Sequence, residues 1–310
     1  MTVGELGEFG VVSRISGRLP QGATVLLGPG DDAAILRAPD GRVVVTTDML
    51  LEGRHFRRDW SSPYEIGRKA AAQNLSDISA MGAVGTGLFV GLGIPADLPV
   101  AWLDALIDGL RDECDLVGAS LAGGDVTRSA SVVLGVTALG DLQGRSAVLR
   151  SGARPGDVVA VAGSLGRSEA GLRLLLAGLS GFDDLVEAHR RPRPPYREGP
   201  RAAALGATAM LDVSDGLLQD LGHICAASGV AIVLDPVEAP DDLAAAAKAL
   251  GADPVDWILT GGEDHALAAT FPSGVVLPSE WRIVGNVAEG DGVQAGGREN
   301  VRGGWDHFRG

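Results

Sequence analysis

The sequence predicts an α/β protein of two domains, and three observations carry that prediction. Short apolar or β-branched runs alternate with stretches of helical spacing along the chain. The 310 residues are long for one core and suit two domains of ordinary size. Composition also changes near Arg150-Ser151-Gly152, where a turn containing Pro155 and Gly156 opens a second β/α series. The boundary is predicted at residues 141–150, dividing 1–145 from 146–310.

Residues 42–47 are mostly β-branched and end at Asp48, which reads as a strand. Ser62-Pro63-Tyr64-Glu65 is a capping box with proline at the first helical position. The helix it starts should run to about Met81 and stop at Gly82. Residues 85–94 read as a strand, with Pro95 and Pro99 bracketing the next turn. Residues 101–116 form a helix with Trp102, Leu103, Leu106, Ile107 and Leu110 apolar. Residues 131–139 are apolar on both faces, so that strand expects cover on each side, from helices or from a partner subunit.

In the second half, 158–162 is a strand, 167–177 a helix and 189–200 a Pro/Arg-rich connection. A strand at 209–213 leads into a helix through Cys225. Segments 230–234, 243–250, 266–271 and 282–287 complete the alternation. No low-complexity segment or solenoid repeat interrupts it.

A net charge of -14 argues against a nucleic-acid or anionic-membrane surface, though not against nucleotides, because metal ions can reverse the local field. Cys114 and Cys225 are the only cysteines, which predicts a reducing cytoplasm rather than a disulfide framework. The first fifteen residues lack the apolar core of a signal peptide, and no run is long enough to span a bilayer. No Gly-Lys-Ser/Thr occurs, which excludes a Walker-type phosphate loop.

Six acidic motifs punctuate the alternation. They are Gly30-Asp31-Asp32, Thr46-Thr47-Asp48, Asn74-Leu75-Ser76-Asp77, Gly123-Gly124-Asp125, Asp212-Val213-Ser214-Asp215-Gly216 and Gly261-Gly262-Glu263-Asp264. Brought together, they would concentrate more negative charge than a fold tolerates without cations. Oxygen ligands without a His/Cys cluster favour Mg²⁺ or Mn²⁺, ions that bridge carboxylates to phosphates, so phosphoryl transfer is the expected chemistry. Glycine pairs before an acid are also ordinary turn composition. Asp77 stands inside a helix, where capping does not explain it. Asp212 to Gly216 joins strand to helix, offering two carboxylates, a hydroxyl and helix N-terminal amides; N-capping by Ser214 or Asp215 is the competing account.

In this order the motifs resemble the thiamine-monophosphate kinase family, of the superfamily that includes aminoimidazole ribonucleotide synthetase. The resemblance extends through His55, Arg150-Ser151-Gly152 and Trp305-Asp306-His307-Phe308. It implies an aminoimidazole ribonucleotide synthetase-like fold of two domains, with N-terminal sheets pairing across a homodimer. It implies ATP-dependent conversion of thiamine monophosphate to thiamine diphosphate. By similarity, Asp32, Thr46, Thr47, Asp48, Asp77, Asp125, Asp212 and Asp215 would hold several Mg²⁺ ions. Gly124, Asp125, Arg150 and Ser214 would contact ATP, and His55, Glu263 and Trp305 the thiamine phosphate. No dedicated acid or base is implied. Where the family commonly has tyrosine this chain has His265, to which no role carries over. Selenophosphate synthetase and the hydrogenase-maturation relative are disfavoured by missing cysteines. A related synthetase, or a Mg/nucleotide-binding subunit without catalysis, are the alternatives.

Overall fold

The computed structural model describes residues 1–29, 33–295 and 304. It divides into two compact units. One comprises Met1–Ile78 with Ala83–Gly144, and the other comprises Ser79–Gly82 with Arg145–Gly310.

The first unit opens with α1 (Val3–Ser16), started by a capping box between Thr2 and Glu5. Strands β1 (Val25–Leu27) and β2 (Ile35–Leu36) form a small ribbon. There follow β3 (Val44–Leu51), α2 (Pro63–Ala80), β4 (Val84–Ile94), α3 (Val100–Asp115), β5 (Ser120–Arg128) and β6 (Val133–Asp141). Helix α2 starts at the predicted capping box, in which Ser62 N–H donates to Glu65 and Glu65 N–H to Ser62 Oγ. The strand β5 is not among the sequence expectations. Gly123-Gly124-Asp125 lies within it rather than in a turn, because pairing with β4 supplies the order that two glycines lack.

The sheet order is β3-β6-β4-β5, with β4 and β5 parallel and the other pairs antiparallel. One face is packed: Leu50, Leu88, Leu134, Val136 and Ala138 are buried, and Leu75 and Ile78 of α2 rest on Gly85 and Gly140. The other face is open. On it, Val45 and Met49 are 59% and 58% exposed.

In the second unit, β7 (Val158–Ala162), α4 (Arg167–Ala177), α5 (Asp183–Arg190) and α6 (Glu198–Ala204) lead to β8 (Ala209–Val213) and α7 (Leu217–Ser228). Then come β9 (Ala231–Leu234), α8 (Asp241–Leu250), α9 (Pro254–Thr260), β10 (Ala266–Phe271), β11 (Trp281–Ala288) and β12 (Gly292–Ala295). The Pro/Arg-rich stretch 189–200 holds the end of α5 and the start of α6. Gly199 and Pro200 in α6 are poor helix formers, and burial of Glu198, Gly199 and Ala202 overrides them.

Six strands make one sheet in the order β12-β9-β11-β7-β10-β8, in which only β12 and β9 are parallel neighbours. Because β10 and β11 run against their partners, β7, β8 and β9 all end at the same edge of the sheet. Strand alternation feeds two cores. Val159, Val161, Leu211 and Val213 face α4 and α7, while Ala160, Ala162, Met210, Leu267 and Phe271 face the other side. Phe271 and Trp281 close that second core edge to face, 5.2 Å between ring centres.

Candidate active site

Strand β3 sorts the predicted residues by its pleat. Thr46 and Asp48 share the face on which Leu50, Val136 and Ala138 are buried. Helix α2 brings Asp77 to the same face, where Thr46 Oγ1 donates to Asp77 Oδ2 at 2.6 Å. These three side chains form a patch of hard oxygen donors. Thr47 turns the other way. Its hydroxyl donates to the Val136 carbonyl at 3.0 Å and accepts from Thr137 Oγ1 at 3.1 Å, so the pleat separates it from Thr46 and Asp48.

Asp125 stands apart from that patch on the same sheet. Strands β3 and β5 are the two edges of the sheet, with β6 and β4 between them. Ordinary strand spacing sets those edges about 14 Å apart. Gly124 pairs with Val90, Val90 with Val136 and Val136 with Asp48, so Gly124 completes the cross-sheet row of Asp48. Asp125 opposes Gly91 one row further on and is exposed. Among the described residues, no three His, Cys, Asp or Glu side chains converge as a metal site would. Asp32 and Trp305 lie outside the described residues.

The loop after β3 carries His55. Its Nδ1 accepts the Leu51 N–H at 3.0 Å, which leaves the ring proton on Nε2. Lys69, fully buried in α2, donates from Nζ to the His55 carbonyl at 3.1 Å. Sequence reasoning passed over Lys69, although a lysine among buried alanines of a helix was a signal.

In the second unit, β8 delivers Asp212, and the turn Ser214-Asp215-Gly216 enters α7. The amides of that turn, expected to be open to a ligand, are occupied. Asp220 Oδ2 accepts from Ser214 N and Asp215 N at 3.0 Å each and from Gly216 N at 3.1 Å. Asp220 stands one helical turn beyond Gly216, and helical side chains lean toward the N-terminus. The N-cap position is Gly216, so neither Ser214 nor Asp215 caps the helix. Burial pushes the Asp220 carboxyl up to about 7, aided by the charges of Asp215 and Asp212 and opposed by the amides.

The Gly261–His265 segment pairs with this turn. Glu263 N–H donates to the Ser214 carbonyl at 2.7 Å and His265 N–H to the Val213 carbonyl at 3.0 Å. Glu263 and His265 have φ of 62° and 54°, left-handed values that side chains rarely adopt. Between them, Asp264 holds the pair in place. Its carboxylate is buried and accepts from Gly166 N at 2.6 Å and Ser168 N at 2.9 Å. His189 Nδ1 lies 3.6 Å from Glu263 and 3.1 Å from Ser168 Oγ. His265 Nδ1 donates to Asp212 Oδ2 at 3.0 Å, since an ionised carboxylate only accepts. Arg150 is exposed; its carbonyl accepts from Ser228 Oγ, which also receives the amides of Gly152 and Ala153.

Asp264 makes stability depend on pH. Burial pushes its carboxyl from 3.8 up to about 7, against the amides of Ser168 and Gly166 that pull it down. The folded protein therefore binds this proton more tightly than the unfolded chain. The resulting stabilisation is complete below pH 4 and is lost as pH rises through 7, on the order of 4 kcal/mol at most. Thermal midpoints of wild type and Asp264→Asn at pH 4.5 and pH 8 check this. The wild type is expected to lose several degrees relative to the variant on going to the higher pH; parallel profiles would remove Asp264 as the source.

Comparison with known proteins places these two α/β units in the AIR synthase-related class. Residues 30–142 match the family described as AIR synthase related protein, N-terminal domain. The chain belongs to the thiamine-monophosphate kinase family. It is 53% identical over 292 residues to the thiamine-monophosphate kinase of Mycobacterium tuberculosis (strain H37Rv), covering 93% of this chain and 87% of that protein. The crystal structure of thiamine-monophosphate kinase from Stenotrophomonas maltophilia K279a superposes with a TM-score of 0.80 at 34% identity, covering 93% and 96% of the two chains. A structure described as AaThiL complexed with AMPPCP and TMP gives a TM-score of 0.81 at 32% identity, covering 99% of each chain.

Proposed function

We propose that this protein transfers the terminal phosphoryl group of ATP to thiamine monophosphate, releasing ADP and thiamine diphosphate. The observation that carries the reading is the backbone pairing of Gly261–His265 with Val213–Ser214. It sets the residue proposed to touch ATP, Ser214, directly beside the residue proposed to touch the thiamine phosphate, Glu263. Family membership and the neighbour described with AMPPCP and TMP support the same substrates.

In this reading Gly124, Asp125, Arg150 and Ser214 contact ATP. His55, Glu263 and Trp305 contact the thiamine phosphate. Arg150 suits a triphosphate because a guanidinium makes paired hydrogen bonds to phosphate oxygens. Glu263 suits a cationic ring by charge, and Trp305 suits it by stacking. The attacking atom is a phosphate oxygen already ionised at neutral pH, so no side chain has to remove its proton. Direct in-line transfer follows once both phosphates are aligned.

The residues fit Mg²⁺ by donor chemistry. Thr46, Asp48 and Asp77 present hard oxygens on one sheet face, with two of those oxygens 2.6 Å apart. Asp32, Thr47, Asp125, Asp212 and Asp215 complete the proposed set. Bound there, Mg²⁺ would offset the repulsion between the two polyanions. The N-terminal unit is proposed to hold metal and ATP and to dimerise, and the C-terminal unit to complete the site. Val45 and Met49 on the open sheet face support pairing with a second copy of this chain. The cytoplasm is the proposed location; Cys114 and Cys225 are free buried thiols.

One assay tests the reading. The purified protein, with Mg-ATP and thiamine monophosphate, is expected to form ADP and thiamine diphosphate in equal amounts. ADP formed only with a different phosphorylated acceptor would move the chain to a related synthetase, and ATP binding without turnover would leave it a binding subunit.

A further inference from the structure

We infer that Asp220 is a positioning residue that converts the start of α7 from an anion site into a cation-facing turn. A turn whose successive amides converge just before a helix attracts phosphate, because such a nest of N–H groups and the positive end of the helix dipole both favour negative charge. Here a single carboxylate oxygen collects the N–H groups of Ser214, Asp215 and Gly216, all within 3.1 Å. Asp220 is buried, and the three amides are the donors that satisfy that oxygen inside the protein. With its amides drawn inward, the turn has only carbonyl and side-chain groups left to present.

Two consequences follow from that orientation. The Ser214 carbonyl is free to accept from Glu263 N–H at 2.7 Å, which fixes the second turn against the first. The side-chain oxygens of Ser214 and Asp215 become the groups this turn offers a ligand, and they are hard donors suited to a divalent ion. Asp220 thus acts one layer behind the ligands, where such partners typically change metal affinity by about 10–100-fold. This rests on the reading that Asp215 serves a metal and Ser214 the nucleotide. The role of Asp220 itself is measurable without turnover.

The test uses the full chain free of nucleotide, with Asp220→Ala and Asp220→Asn. Three readouts are taken: amide hydrogen exchange at 214–216, calorimetric titration with Mg²⁺ alone, and titration with inorganic phosphate alone. Asp220→Ala is expected to expose the three amides, lower Mg²⁺ affinity about ten-fold and gain one phosphate site beyond any the wild type shows in the same titration. Asp220→Asn keeps an acceptor oxygen at the same place and is expected to retain slow exchange and to gain no phosphate site. A variant that had merely loosened would lose Mg²⁺ without gaining phosphate, and that result would overturn the inference. Unchanged Mg²⁺ affinity and unchanged exchange in Asp220→Ala would overturn it equally. If the kinase assay failed while these shifts appeared, the proposed reaction would be wrong and the role of Asp220 would stand.

Discussion

Asp48→Asn is expected to lower turnover about a thousand-fold while moving the thermal midpoint by little. The size of the first effect follows from what opposes the proposed reaction, which is charge. Removing one preorganised electrostatic contact at such a centre costs roughly 10²–10³ in rate, and a carboxylate in the proposed role of divalent-ion ligand stands at the upper end of that range. Asp48 is only partly buried, and no structural hydrogen bond of its side chain is needed to close β3 onto β6, where eight backbone pairs already set the register. Thr46 and Asp77 remain bonded to each other in the variant, so the patch should survive with one carboxylate fewer. The concentration of Mg²⁺ needed for half-maximal rate should rise with the loss. Steady-state rates across a Mg²⁺ series, alongside a thermal melt, measure both. Near-normal turnover would remove Asp48 from the mechanism.

The long elements were legible because two signals agreed in each. Helix α2 carried a capping box at Ser62 and Gly82 beyond its end, and strand β4 carried a continuous apolar run. What escaped was order imposed from elsewhere in the unit. Strand β5 contains Gly123, Gly124 and Asp125, all poor strand formers, and exists because β4 pairs along its whole length. The motif acids were legible as a set, whereas their arrangement was not. Thr46 and Thr47 are neighbours in sequence and lie on opposite faces of a sheet, a distinction that depends on register alone. Asp220 and Asp264 looked like ordinary helix and turn acids. Their role emerges only once the chain has folded their carboxylates under the amides of another loop.

Gly109→Ala is expected to destabilise the first unit, against the helix propensity that favours alanine over glycine by about 1 kcal/mol. Helices α2 and α3 cross with Gly67 and Gly109 facing each other's backbone. A Cβ on Gly109 would overlap the Tyr64 carbonyl oxygen and lie 3.1 Å from Arg68 N, and one on Gly67 would lie 2.9 Å from Leu110 N while overlapping the Leu106 carbonyl. Backbone atoms cannot rotate away as a side chain can, so the helices must separate. Overpacking of this kind costs typically 1–3 kcal/mol and occasionally more, which outweighs the gain in propensity. Separation would also strain the polar contacts that flank the crossing, Tyr64 Oη with Asp112 at 2.9 Å and the pair of half-buried Arg68 with buried Glu113. Breaking a buried ion pair is expensive because it strands a charge. Gly67→Ala should cost a similar amount, and the double variant less than the sum, since one separation relieves both clashes. Because α2 carries Asp77, the movement should reach the Thr46–Asp77 contact, so a fall in Mg²⁺ affinity is expected to accompany the lower midpoint. Thermal melts of the two single variants and the double variant decide the matter: a midpoint raised by Gly109→Ala would mean that propensity governs this crossing and that the helices have room to spare.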